Sequence, residues 1–286
     1  EEEEEEDDED EDDEGNDLAD LPPEILRRVT KIRNIHLDYE EIEKAYKVER
    51  IALEKKFLEQ KKLVIEKRRQ IVTGELEVPA EEGEDQTEES GTVGIPGFWL
   101  TCLTSHPSIS ELITEEDVPA LEHLTDITCA YDDNFTSFSL TFHFKENEFF
   151  TNTTLTKTYE VSPDLLDEKA PALSHTSCSE IEWKTGKDLT VTETVKKQKA
   201  KSGKNKGQVK TVVTTAPKPS FFHYFGMPMT EEEEAEAEEN DDEDAPQDYD
   251  VGHSIRTSLI PEAVLWYTGE AIEEEDDEDD EGLYDD

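Results

Sequence analysis

The 286-residue chain is poor in basic residues, in cysteine and in long apolar runs, and each shortage excludes something. Its 28 Lys and Arg stand against 77 Asp and Glu, a formal net charge of −49. That excludes direct binding to nucleic acid or anionic lipid as the default reading and points to a basic partner. Cys102, Cys129 and Cys178 are too few and too widely spaced for a disulfide framework or a CxxC metal site. No disulfide is expected, and a reducing intracellular compartment is favoured. No apolar run approaches the roughly 20 residues that span a bilayer, so a soluble protein with no membrane partner is expected. The acidic opening also lacks the basic and apolar regions of a signal peptide. Because the chain opens on Glu1 rather than Met, a targeting segment ahead of it is left open.

With 33% hydrophobic and 37% charged residues, the whole chain does not have the composition of one compact domain. The acids are concentrated: residues 1–14 are all Glu or Asp, Glu231–Asp244 adds 11 and Glu273–Glu281 adds 9. Such runs repel themselves and have nothing apolar to bury, so they read as disordered arms on a folded body.

Glycine and proline are absent between Pro23 and Gly74, and Glu, Lys, Arg, Leu and Ile dominate there, which predicts helix throughout. Leu21-Pro22-Pro23 supplies proline at an early helical position. Asp38 and Glu41 resemble a capping box, so the stretch is either two helices or one. An apolar stripe of Tyr39, Ile42, Tyr46, Leu53, Phe57, Val64 and Ile71 recurs at steps of three, four or seven, a single narrow face. A helix from Asp38 to Thr73 would be about 54 Å long at 1.5 Å per residue, more than a compact body of this size covers. With no second long helix in the chain, another copy of the same helix is the simplest cover, giving a two-fold homodimer; a lone solvated helix is the alternative. Val29, Ile32, Ile35 and Leu37 have the spacing of a leucine-rich export signal, but equally that of a helix core face, the reading favoured here.

After an acidic linker the composition turns globular. Phe98–Leu103 and Ser110–Leu124 read as helical, the latter divided by Pro119. Strands are predicted at Ile127–Tyr131, Phe138–Phe144, Thr153–Val161 and Ser179–Trp183. Phe138, Leu140, Phe142 and Phe144 alternate with Ser139, Thr141 and His143, one apolar and one polar sheet face. Leu189–Val195 and Val209–Thr215 flank a lysine-rich tip as a hairpin. Ser220–Phe225 reads as a short aromatic helix, and Tyr249–Ala271 as two helices divided near Pro261. The body is α+β, an antiparallel sheet covered by helices on its apolar face. The resulting divisions are an acidic arm 1–17, a helical domain 18–78, a linker 79–93, an α/β domain 94–230, an acidic loop 231–247, C-terminal helices 248–271 and an acidic tail 272–286.

Several ordered motifs then resemble the nucleosome assembly protein family of histone chaperones. They are Leu21-Pro22-Pro23, Gly94-Ile95-Pro96-Gly97-Phe98-Trp99-Leu100-Thr101, Ile113-Thr114-Glu115-Glu116-Asp117, Leu140-Thr141-Phe142-His143-Phe144, Phe149-Phe150-Thr151-Asn152, Ile181-Glu182-Trp183-Lys184, Ser220-Phe221-Phe222 and Thr268-Gly269-Glu270-Ala271. The resemblance spans about Leu21 to Ala271. It implies a long dimerisation helix paired antiparallel with its mate, and an earmuff-shaped α/β domain bearing a four-stranded antiparallel sheet and an extra hairpin. It also implies binding of core histone dimers or tetramers. Glu262, where the family commonly has a base, and Ser162–Thr176, which does not match the usual sheet loop, depart from the pattern. A phosphatase-inhibiting SET-type branch shares Ile95-Pro96-Gly97-Phe98-Trp99 and Trp183-Lys184-Thr185-Gly186-Lys187-Asp188-Leu189. The Thr-Gly-Glu-Ala ending and the long acidic arm favour the nucleosome assembly branch.

The resemblance makes the acidic face of the folded domain a histone platform, with Glu115, Glu116, Asp117, Glu122, Asp126, Glu180 and Glu182 as candidate docking residues; a merely solvated face is the competing reading of each. The acidic arms would capture and steer, because their attraction is screened over about 8 Å at physiological ionic strength. Phe98, Trp99, Trp183, Phe221 and Phe222 read as core rather than as a recognition site. Lys196, Lys197, Lys199, Lys201, Lys204 and Lys206 on the hairpin resemble a nuclear-import signal, against a solvated tip, and point to nuclear transport receptors and to shuttling between nucleus and cytoplasm. No GxGxxG, Walker, GxSxG or HExxH motif is present and the seven histidines are scattered, so no catalytic residue, cofactor or metal site is expected. A calcium buffer built from the acidic runs stays open on composition, although the EF-hand spacing is missing.

Overall fold

The computed structural model describes residues 21–79, 92–162, 165–166, 172–199, 209–226 and 248–272. The chain divides into two units, residues 1–60 and 61–286. Helix α1 is continuous from Pro23 to Thr73, so the two candidate helices are one. Proline at its first position loses no intrahelical hydrogen bond, and 50 residues without another proline or any glycine give the helix no place to break.

Gly74, at φ 78°, ends α1. The end is sealed by a second glycine: Gly94, at φ 65°, lies where a Cβ would sit 2.2 Å from the Val72 carbonyl, which instead accepts from the Ile95 amide at 2.9 Å. Only glycine permits both the left-handed backbone and this approach. The crossing brings the Gly94–Thr101 motif against the last turn of α1, where Arg68 donates to the Ile260 carbonyl at 2.5 Å and lies 5.3 Å from the Trp99 ring centroid.

Short helices follow, α2 (Phe98–Ser105), α3 (Pro107–Ser110) and α4 (Val118–Leu121). Pro119 therefore does not divide a helix over 110–124; it stands in the first turn of α4, where its missing N–H costs nothing. An antiparallel sheet is ordered β1 (Leu124–Tyr131), β2 (Ser137–Phe144), β3 (Thr154–Ser162), β4 (Ala172–Cys178). The fourth strand corrects the sequence expectation. Ser179–Trp183 is not a strand; it makes only an isolated bridge between Trp183 and Phe150, whereas Ala172–Cys178 pairs with β3.

Strand β2 alternates as predicted: Phe138, Leu140, Phe142 and Phe144 are buried. On the other face hydroxyls pair across strands, Ser139 with Thr158 at 2.8 Å and Thr141 with Thr156 at 3.1 Å. Each pair satisfies two half-buried polar groups without involving the core. The apolar face is covered by a 3-10 helix (Phe221–Phe225) and by α5 (Asp248–Ser254), which runs into a π-helical turn (Ile255–Leu259), while α6 (Ala263–Thr268) packs on α2, its Tyr267 ring stacked 4.9 Å from Phe98. Phe142 meets Phe225 edge-on at 5.1 Å, and Gly252 lies so close to the Tyr159 ring that a Cβ would fall 2.5 Å from it. Strands β5 (Val191–Lys199) and β6 (Val209–Pro217) form the separate hairpin.

Candidate functional site

The seven candidate docking carboxylates separate into two classes. Glu115, Glu116, Glu122, Glu180 and Glu182 are exposed, whereas Asp117 and Asp126 are buried. The second class corrects the sequence reading, and the physical reason differs between its members.

Asp117 is a structural acceptor. One carboxylate oxygen takes the Thr114 amide at 2.9 Å, the Thr114 hydroxyl at 2.8 Å and the Phe221 amide at 2.9 Å, and the other takes the Ser220 hydroxyl at 2.5 Å. It thus ties the loop entering α4 to the start of the 3-10 helix, about a hundred residues later in the chain. A carboxylate with this many donors has nothing left to offer a partner. Its neighbour Glu116 does face solvent and is ion-paired with Lys218 across the same junction.

Asp126 sits beside a register shift near the start of β1. Burial pushes its carboxyl up to about 6, against the pull of the Arg68 guanidinium. Arg68 is in turn depressed by burial, and its Nη2 has no hydrogen-bond partner among the described residues. This is a desolvated junction at the end of α1, not a docking surface.

Glu180 and Glu182 lie beyond β4, on the segment held by Asn152: the Asn152 amide donates to the Glu180 carbonyl at 3.1 Å, and its oxygen accepts from the Glu182 amide at 2.7 Å. Glu182 accepts from the Thr151 hydroxyl at 2.5 Å. Glu180 borders an open depression of about 460 Å³ lined also by Ile181, Trp183, Phe222 and Phe225. Glu115 and Glu116 stand on the loop entering α4 and Glu122 at its end, so the five exposed carboxylates are carried by two separate segments of the chain. Exposed carboxylates that the sequence reading did not name include Glu111, Glu146, Glu148 and Glu160. Glu148 pairs with Lys187, and Glu160 stands on β3. The outward alternation Thr154, Thr156, Thr158, Glu160 was the signal for the last.

The aromatics are core, as read: Phe98, Trp99, Phe221 and Phe222 are buried and Trp183 packs edge-on against Phe150 at 5.7 Å. On α1 the stripe stands in water. Tyr39, Ile42, Tyr46, Leu53, Phe57 and Val64 are 45–67% exposed, while Ile71 is half-buried. Ile32, Ile35 and Leu37 are exposed too, so this chain alone does not supply the core packing read for them. Lys196, Lys197 and Lys199 belong to β5. Lys201, Lys204 and Lys206, and the acidic runs 1–14, 231–244 and 273–281, lie outside the described residues.

A 51-residue helix with an uncovered apolar stripe, followed by a four-stranded sheet whose apolar face is roofed by aromatic helices, is an unusual pairing. The family model for nucleosome assembly protein (NAP) matches residues 27–270. The chain belongs to this family. It is 38% identical over 271 residues to nucleosome assembly protein 1;3 of Nicotiana tabacum, covering 91% of this chain and 70% of that one. It is 34% identical to nucleosome assembly protein 1-like 1 of Xenopus tropicalis, covering 92% and 74%. Among solved structures, nucleosome assembly protein 1 from Plasmodium knowlesi aligns with a TM-score of 0.63 at 28% identity, over 87% of this chain and 99% of that one. The fold expected from the motifs is therefore the fold of this NAP-family chain, with the fourth strand relocated.

Proposed function

We propose that this NAP-family protein is a homodimeric, non-enzymatic histone chaperone. It holds core histone dimers or tetramers on exposed acidic surfaces, keeps them from non-specific association with DNA, and releases them into nucleosomes. Family membership supports the general role in nucleosome assembly. For the dimer, the supporting observation is the exposure of Tyr39, Ile42, Tyr46, Leu53, Phe57 and Val64 on one helix. A second copy of α1 is the partner whose matching stripe would remove them from water.

For cargo, the carrying observation is a charge of −49 on a chain whose folded surface presents Glu115, Glu116, Glu122, Glu180 and Glu182. Acidic runs attract basic cargo at long range and in a salt-dependent way, whereas fixed carboxylates give orientation. DNA then displaces the chaperone where wrapping of the histones is complete, a competition between polyanions that needs no cofactor. Residence in nucleus and cytoplasm, with import through receptors that read the hairpin lysines, belongs to the same reading.

Sedimentation or native mass measurement of the chain, alone and with purified core histones, tests both halves. A dimer that gains mass on adding histone at physiological salt is expected. A monomer that ignores histones would end the proposal.

A further inference from the structure

The start of α1 is basic in an otherwise strongly acidic chain. Between Pro23 and Leu37 stand Arg27, Arg28, Lys31 and Arg33, opposed only by Glu24. All four bases are exposed, and Arg28, Lys31 and Arg33 have no ion pair among the described residues. Arg69 at the other end of the helix makes the contrast, saturated by Glu66 at 2.7 Å and Glu75 at 2.6 Å. At 3.6 residues per turn, Arg27, Arg28 and Lys31 fall within an arc of about 100°, so a single strand of negative charge can meet all three.

One such strand is close by in the chain. Residues 1–14 are uninterrupted Glu and Asp, and only residues 15–22 separate them from α1. Eight residues reach up to about 27 Å at ~3.4 Å each. The four bases lie about 6–15 Å along the helix from Pro23, at 1.5 Å per residue. The linker includes Gly15, which permits the reversal the path needs. Tethering at this range gives an effective concentration on the order of millimolar.

We propose that the acidic run Glu1–Glu14 docks on the basic opening of its own α1, over Arg27, Arg28 and Lys31, Arg33 lying about 120° outside their arc, and that basic cargo has to displace the helix to engage the run. The docking itself stands independently of the histone reading; the displacement rests on it. The consequence is a threshold: weakly basic proteins fail to free the run, and densely basic ones succeed.

The test is zero-length carbodiimide cross-linking of the full chain, mixing unlabelled and ¹⁵N-labelled protein and mapping what Lys31 joins. Links from Lys31 to residues 1–14 of the same chain are expected at about 50 mM salt, falling at least about fivefold at ~0.5 M, where screening shortens to a few ångströms. They should fall similarly in Arg27→Gln/Arg28→Gln, which keeps Lys31 as reporter. Links chiefly to 231–244 or 273–281, links only between differently labelled chains, or links indifferent to the two substitutions would each overturn the docking. Purified core histones are then added. Loss of the Lys31 links supports displacement, and links that persist on histone-loaded protein overturn it. Protein that keeps the links but binds no histone leaves the docking intact while the functional reading fails.

Discussion

Lys157 of β3, only 2% exposed, is ion-paired with the carboxylate of Asp248, the first residue of α5. The same ammonium donates to the Tyr224 carbonyl at 2.5 Å and lies 4.5 Å from the Tyr224 ring centroid. One buried cation thus holds the end of the 3-10 helix and the start of α5, which flank a segment rich in acids, against the sheet. Breaking a buried pair costs more than the pair contributes, since the survivor stays desolvated. Lys157→Met is expected to cost about 2–4 kcal/mol in urea unfolding, with Asp248, itself a third exposed, setting the lower end. Adding Asp248→Asn should recover at least about 1 kcal/mol of that loss in a double-mutant cycle; strict additivity would show the pair to be inert.

Asp117 gives a prediction that separates structure from docking. Its four donors, the Thr114 amide and hydroxyl, the Ser220 hydroxyl and the Phe221 amide, lose their acceptor in Asp117→Ala, and the Phe221 amide becomes a buried unsatisfied group. A loss of about 2–4 kcal/mol is expected. Glu115→Gln next to it should leave the melting temperature unchanged and weaken histone binding only modestly, with an effect that fades as salt rises. If Asp117→Ala melted normally and lost only histone affinity, its assignment as a structural acceptor would be wrong.

What was legible in the sequence follows from how local each signal is. Phe138 to Phe144 could be read because alternation with period two is written in consecutive residues, and α1 because 50 residues carry neither glycine nor a second proline. Strand β4 could not: Ala172–Cys178 has one threonine, no aromatic residue and an exposed Leu173, and is held as an edge by β3 rather than by its own propensity. Ile181 and Trp183 imitated a strand because both pack against the core, Trp183 beside Phe150. The candidate carboxylates were found by charge, which does not distinguish Glu116 from Asp117. Their difference is set by Ser220, a partner far along the chain. For Asp117 a local hint existed in Thr114 three residues before it; for Asp126 none did, since what buries it includes the far end of α1.

Asp126 also carries a pH dependence. Its folded value of about 6 exceeds the ordinary 3.8, so the native state holds its proton more tightly than the unfolded chain does. Such a group favours folding fully below about pH 4 and loses that contribution as pH rises through 6, by up to ~3 kcal/mol for a shift of about two units. Asp126→Asn keeps the neutral form at every pH. The difference in unfolding free energy between the variant and the parent should therefore be near zero at pH 4 and favour the variant at pH 7. A difference that does not change between these two pH values would contradict the buried-carboxyl assignment.

The exposed stripe makes the last prediction. Tyr46 and Phe57 stand 53% and 45% exposed in the single chain, eleven residues and so about three turns apart on one face of α1. Neither makes a packing contribution that the isolated chain needs, so placing charge there should spare the fold of the second unit and strike only the association. Tyr46→Glu/Phe57→Glu buries two carboxylates per helix if the pair still forms, and desolvating them costs several kcal/mol on each side of a two-fold interface. The dissociation constant of the dimer should rise by at least about a hundredfold, which is ~2.7 kcal/mol, read by sedimentation equilibrium. Near-ultraviolet circular dichroism from Trp99 and Trp266, both buried in the second unit, should stay unchanged. Loss of that signal together with the dimer would mean that the stripe supports the domain itself, and a dimer untouched by two buried charges would place the interface elsewhere.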